Sequence, residues 1–78
     1  MAQINITTTA DEQDRVLEAL RKLQGQTVAV SAIASMAGMN QSRVRYAITD
    51  LEEGGKIKRI PVKAFNVHYI RYKYEVLI

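Results

Sequence analysis

Residues 31–59 read SAIASMAGMNQSRVRYAITDLEEGGKIKR, and this run alone sets out two helices, a tight corner between them and the start of a strand. Ser31 is the expected cap of the first helix. Its apolar residues Ile33, Ala34 and Ala37, with Met36 beside them, make a two-turn element that Gly38 closes. Small residues dominate it, which suits a helix crossed closely by its successor. Met39 supplies an apolar plug for the corner, and Asn40 is the expected cap of the next helix. That helix spans Gln41 to Glu53. At about 100° per residue, Val44, Ala47, Ile48 and Leu51 fall in one sector roughly 100° wide and face a core. Ser42, Tyr46, Thr49 and Glu53 occupy the opposite face, with Arg43 on one flank and Arg45 on the other. Gly54-Gly55 ends the helix, because glycine accepts the left-handed conformation that reverses the chain. Lys56 to Ile60 then reads as a strand.

Outward toward the N-terminus, Thr9 and Glu12 have the spacing of a capping box, and Asp11, Glu12 and Asp14 put negative charge at the positive end of a helix dipole. Val16, Leu17, Leu20 and Leu23 continue at helical spacing, so a helix is predicted from Ala10 to Gln24, ended by Gly25. Gln26 to Val30 is a short β-branched strand, and Gln3 to Ile6 alternates weakly enough to suggest only a short added strand. Outward toward the C-terminus, Pro61 ends strand pairing on one side, and Val62 to Asn66 is a connecting loop. From Val67 to Ile78 the residues alternate. Ile70, Tyr72, Tyr74, Val76 and Ile78 form an apolar face, and Tyr69, Arg71, Lys73 and Glu75 a polar one. The expected fold is α+β in the order α-β-α-α-β-β, with residues 1–8 an N-terminal extension and 9–78 a single domain.

The whole chain has 78 residues, with 47% hydrophobic and 24% charged. That length holds one domain. With no cysteine and one histidine, His68, thiol catalysis and cysteine-rich zinc sites are excluded, and a lone imidazole does not make a metal site. No nucleophile has a base partner at a readable spacing, so an enzyme is not expected. Neither a metal, a cofactor nor a small-molecule ligand is expected. No apolar stretch reaches the roughly 18 residues of a membrane span, and the N-terminus lacks a signal-peptide layout, so a cytoplasmic protein without membrane association is expected. Charge is unevenly placed. Residues 1–42 carry three basic and four acidic groups, whereas residues 43–78 carry eight basic and four acidic ones. An anionic partner would therefore meet the second half, as the sequence pI near 9.5 also suggests.

The order of elements, the small-residue helix, the Gly38 corner, the cationic third helix closing in Leu51-Glu52-Glu53-Gly54-Gly55 and the Ile57 strand ending in Arg59 together resemble a winged helix-turn-helix domain. The resemblance is to small bacterial and phage transcription regulators and covers Thr9 to Ile78. It implies binding of double-stranded DNA, with the third helix in the major groove and a wing at residues 61–67 on the adjacent backbone. Carried onto this chain, the implied contacts are Gln41, Ser42, Arg43, Arg45, Tyr46 and Thr49 on the helix, and Lys58, Arg59 and Lys63 at the wing. Their chemistry suits the role, since Arg pairs in bidentate fashion with guanine and Gln with adenine, while hydroxyls reach phosphates or bases. Pro61 and Phe65 would stiffen the wing. A homodimer would form through the first helix or through strand edges. The rival expectation is a protein-interaction module, a subunit or adaptor that uses the same fold to dock its basic wing on an acidic partner.

Overall fold

In the computed structural model, which describes residues 8–63 and 70–78, the elements run α1 (Ala10–Lys22), β1 (Thr27–Val28), α2 (Val30–Ala37), α3 (Gln41–Glu53), β2 (Ile57–Lys63) and β3 (Ile70–Val76). The capping box forms as expected: the Glu12 N–H donates to Thr9 Oγ1 at 3.1 Å, and the Thr9 N–H donates back to Glu12 Oε1 at 3.0 Å. α1 closes at Lys22, before the expected Gln24, because the Leu23 N–H is shared between the Ala19 and Leu20 carbonyls and tightens the last turn.

The start of α2 corrects the sequence expectation. Ser31 does not cap it. Ala29 takes the cap position with extended backbone and no side-chain bond, and Ser31 lies exposed in the first turn. The reason is the spacing between two buried residues. Val28 pairs with Tyr72 in the sheet and the buried Ile33 donates its N–H to the Ala29 carbonyl at 3.3 Å, so the first helical turn closes directly after the strand. Met36, which the sequence sets beside the apolar residues of this helix, is 51% exposed. At the other end Gly38 adopts φ 67°, and the Met39 N–H donates to the Ala34 carbonyl at 3.0 Å, which closes the corner. Asn40 caps α3 by accepting from the Arg43 N–H at 2.8 Å. After α3 it is Gly55, at φ 71°, that reverses the chain, and the Lys56 N–H then donates to the Leu51 carbonyl at 2.9 Å.

The three strands form one antiparallel sheet in the order β1-β3-β2. β2 and β3 pair from Ile57↔Val76 to Lys63↔Ile70, and Val28↔Tyr72 joins β1 to the other side of β3. Pro61 does not end the strand at this hairpin, since β2 continues to Lys63. The Leu77 N–H donates to the Lys56 carbonyl, which makes Lys56 and Leu77 a hydrogen-bonded pair and sets the phase of the ladder. Counting from it, Lys58, Ile60 and Val62 turn their backbone groups to β3. The missing N–H of Pro61 therefore faces outward, along the free edge of the sheet. The expected loop start at Val62 also gives way to strand. The expected strand at Gln3–Ile6, the remainder of the wing, Phe65, Val67, His68 and Tyr69 lie outside the described residues.

Helices cover one face of the sheet. The core joins Val16, Leu17, Ala19 and Leu20 of α1, Ile33 and Ala34 of α2, and Val44, Ala47, Ile48 and Leu51 of α3 to Val28, Ile57 and Tyr74 of the strands. All four apolar positions read for α3 are buried, and Tyr72 packs half-buried at the margin. Burial pushes the Tyr74 phenol above its ordinary pKa. Ile78, at the end of the expected apolar face, is 64% exposed. The described residues thus form an α+β domain of three helices and a small three-stranded antiparallel sheet. Among the described residues no helix is long and apolar enough to cross a membrane.

Candidate nucleic-acid interface

Because Val44, Ala47, Ile48 and Leu51 are held in the core, α3 turns a polar face to solvent. Gln41, Ser42, Arg45, Tyr46, Thr49 and Glu53 are all exposed, with Tyr46 at 38%. The Thr49 hydroxyl donates to the Arg45 carbonyl at 3.1 Å, leaving its oxygen free to accept. Arg45 forms no ion pair among the described residues.

Arg43 is placed differently from the sequence expectation. Its guanidinium turns back to α1, where Nε donates to Glu12 Oε2 at 2.7 Å and a terminal nitrogen donates to Oε1. That bidentate grip holds the Glu12 carboxyl down at about 2, the Arg43 hydrogen bonds being the largest cause and the Thr9 backbone bond the next. The same contact raises the pKa of Arg43. Arg43 therefore joins α3 to the capping box of α1, and does not stand with Arg45 on the exposed face.

The acidic residues near this face also have partners. Asp50 Oδ2 accepts from the Thr8 N–H at 2.8 Å and from the Thr8 hydroxyl at 2.7 Å, which holds the carboxyl below its ordinary range. Gln13 Nε2 donates to the same Thr8 hydroxyl at 3.1 Å. Thr8, read from sequence as part of an extension, is thus buried and tied to α3. Glu52 accepts from Arg59 at 3.0 Å. On α3 only Glu53 keeps an exposed carboxylate with neither an ion pair nor a hydrogen bond among the described residues.

At the hairpin the predicted cations separate. Arg59 stands opposite Tyr74 on the helix-facing side, bonded to Glu52 and with its guanidinium carbon 4.9 Å from the centre of the Tyr72 ring. Lys58, one residue earlier, points to the other side and is exposed. The backbone of Lys63 closes β2 opposite Ile70.

No protein-family model, curated protein or solved structure matches the chain.

The α3 face is a row of hydrogen-bonding groups, comprising an amide, two hydroxyls, a phenol and one unpaired guanidinium. It has the donors and acceptors that base edges and phosphates offer partners to, and it contains no paired nucleophile and base. Sequence reasoning found the row from helical periodicity. It missed the Thr8–Asp50 and Glu12–Arg43 links, because both span long sequence separations. The sole local hint was an acid-rich first turn on α1 facing a chain with surplus arginine.

Proposed function

We propose that this protein is a winged helix-turn-helix domain that binds double-stranded DNA and acts in transcription regulation, with α3 in the major groove. The observation that carries this reading is the sorting of charge around α3. Glu12, Asp50 and Glu52 are each engaged by Arg43, Thr8 and Arg59, while Arg45 remains free among exposed Gln41, Ser42, Tyr46 and Thr49. Phosphate approaching the first turns of α3 meets hydroxyls and a guanidinium, while Glu12 and Glu52 are already paired with arginines and Asp50, though still charged, is turned to Thr8. Glu53, exposed at the far end, favours an approach through the first two turns. The helix order, the tight Gly38 corner and the β2–β3 hairpin support the fold part of the reading.

The reading assigns Gln41, Ser42, Arg45, Tyr46 and Thr49 to direct contact and Arg43 to positioning of α3. The experiment is a fluorescence-anisotropy titration of duplex DNA at two salt concentrations with the wild type, Arg45→Ala and Tyr46→Ala. Binding that weakens steeply with salt, with a loss of about 1–3 kcal/mol in Arg45→Ala on a selected site, supports it. Absence of binding at low salt refutes it and turns attention to an acidic protein partner.

A further inference from the structure

The described cations divide by residue type. Arg15, Arg21, Arg43 and Arg59 are all held in ion pairs with Asp11, Glu18, Glu12 and Glu52, so that Arg45 is the sole arginine with a described side chain that lacks one. Lys22, Lys56, Lys58 and Lys73 are exposed and form no ion pair among the described residues, and Lys58 and Lys73 lie on the outer face of the sheet. Their placement follows from register. Lys58 opposes Glu75 and Lys73 opposes Ile60, whereas the alternate residues Ile57 and Tyr74 are buried against the helices. Lys58 and Lys73 are consequently diagonal neighbours across the β2–β3 pair, with the 38% exposed Ile60 between them. Glu75 shares this face and forms no ion pair with Lys58. Lys56, exposed at the foot of the hairpin, adds a third positive charge nearby.

Lysine fits sequence-independent contact. Its ammonium is a mobile point charge that follows phosphates without fixing a plane, whereas Arg43 and Arg59 are held against carboxylates of other elements. We infer that the outer face of the β-sheet, through Lys58 and Lys73, is a second polyanion-contact surface that engages the phosphate backbone of duplex nucleic acid and contributes affinity without base preference. Charge complementarity identifies the occupant: Lys58 and Lys73, with Lys56 nearby, outweigh the one glutamate on a face whose exposed large apolar groups are Ile60 and Leu77, and the surplus positive charge suits a polyphosphate backbone. The inference rests on the DNA-binding reading of α3 for its partner, but not for its geometry, since these side chains point away from the helices.

The test compares wild type, Arg45→Ala and the double variant Lys58→Gln/Lys73→Gln on one random-sequence and one selected duplex, across a series of salt concentrations. Each neutralised phosphate contributes about 0.9 to the slope of log affinity against log salt. The double variant is therefore expected to show a slope shallower by about 1.8, with an equal fold-loss on both duplexes. Both substitutions are on exposed positions, and circular dichroism checks that the fold is kept. A double-variant slope equal to wild type, with Arg45→Ala impaired, overturns the sheet contact and leaves the α3 reading standing. A shallower slope in the double variant with Arg45→Ala unimpaired supports the sheet contact and removes α3 from the interface. No binding by the wild type at low salt overturns both.

Discussion

The Arg43 guanidinium clasps the Glu12 carboxylate through two hydrogen bonds, one of them 2.7 Å, and so ties the third helix to the first across 31 residues. Glu12 at the same time closes the capping box with Thr9, and the Arg43 N–H is held by Asn40. One carboxylate thereby joins the start of α1 to the first turn of α3. Arg43→Ala is accordingly expected to lower the unfolding midpoint, whereas Arg45→Ala changes stability by less than about 0.5 kcal/mol, as ordinary surface substitutions do. Chemical denaturation of the two variants side by side checks this, and equal stabilities would show that the clasp does not hold the helices.

The clasp also makes stability depend on acid. Glu12 titrates at about 2 in the folded protein, below the ordinary 4.5, and Asp50 is shifted in the same direction. A depressed carboxyl pKa gives stability that is complete above the ordinary carboxylate range and lost as pH falls through the folded value. Melting temperature should thus fall between about pH 4.5 and 2 in the wild type, and the fall should be smaller in Glu12→Gln, measured by circular dichroism in constant-salt buffers.

Thr8 holds Asp50 with both its backbone N–H and its hydroxyl. Thr8→Val keeps the shape and the N–H but deletes the hydroxyl bond, at an expected cost of about 1 kcal/mol. The Asp50 carboxyl should move up toward its ordinary value, which a carbon-detected NMR titration of the side chain would follow. An unmoved resonance would exclude the hydroxyl as the cause of the shift.

Gly55 reverses the chain at φ 71° with open space around the position where a Cβ would stand. Gly55→Ala is expected to cost about 1–2 kcal/mol through backbone strain alone. Gly54→Ala would meet the Asp50 carbonyl at 3.3 Å, yet the φ there is that of an ordinary helical residue. Urea denaturation of both distinguishes strain from crowding.

Pro61 keeps an N–H off the outer edge of β2. Pro61→Val restores that donor without disturbing the pairing to Tyr72, so the expected result is an intact fold with concentration-dependent self-association at the exposed edge. Sedimentation velocity over a concentration series would reveal it, and a monomer throughout would mean that the edge needs no proline to stay unpaired.

The helices were legible because periodicity and caps are local. Thr9, Asn40, Gly38 and Gly55 each act within five residues, and the burial of Val44, Ala47, Ile48 and Leu51 follows from 3.6 residues per turn. Where local signals competed, reading failed. Ser31 looked like a cap, but the sheet needed Val28 and the core needed Ile33, so the helix began two residues earlier, with Ala29 at the cap. The strand looked complete at Ile60, but the pairing that Pro61 forbids falls on the unpaired side of an edge strand, so β2 runs on to Lys63, a fact that exists only once the ladder has a phase.

The same division runs through the candidate site. By itself the sequence determined the element types, the apolar stripe of α3 and hence the exposure of Ser42, Arg45, Tyr46 and Thr49. Only the tertiary structure decided which charges remain available. Arg43 and Arg45 sit two residues apart on opposite flanks of one helix, and nothing local says which flank meets a carboxylate; the packing of α1 beside α3 brings Glu12 within reach of one and leaves the other in water. Likewise Lys58 and Arg59 are neighbours in sequence, yet strand alternation sends Arg59 toward Glu52 and Lys58 to the open face. Ion pairing depends on distances of a few ångströms between chain segments far apart in sequence, and only the folded arrangement sets those distances.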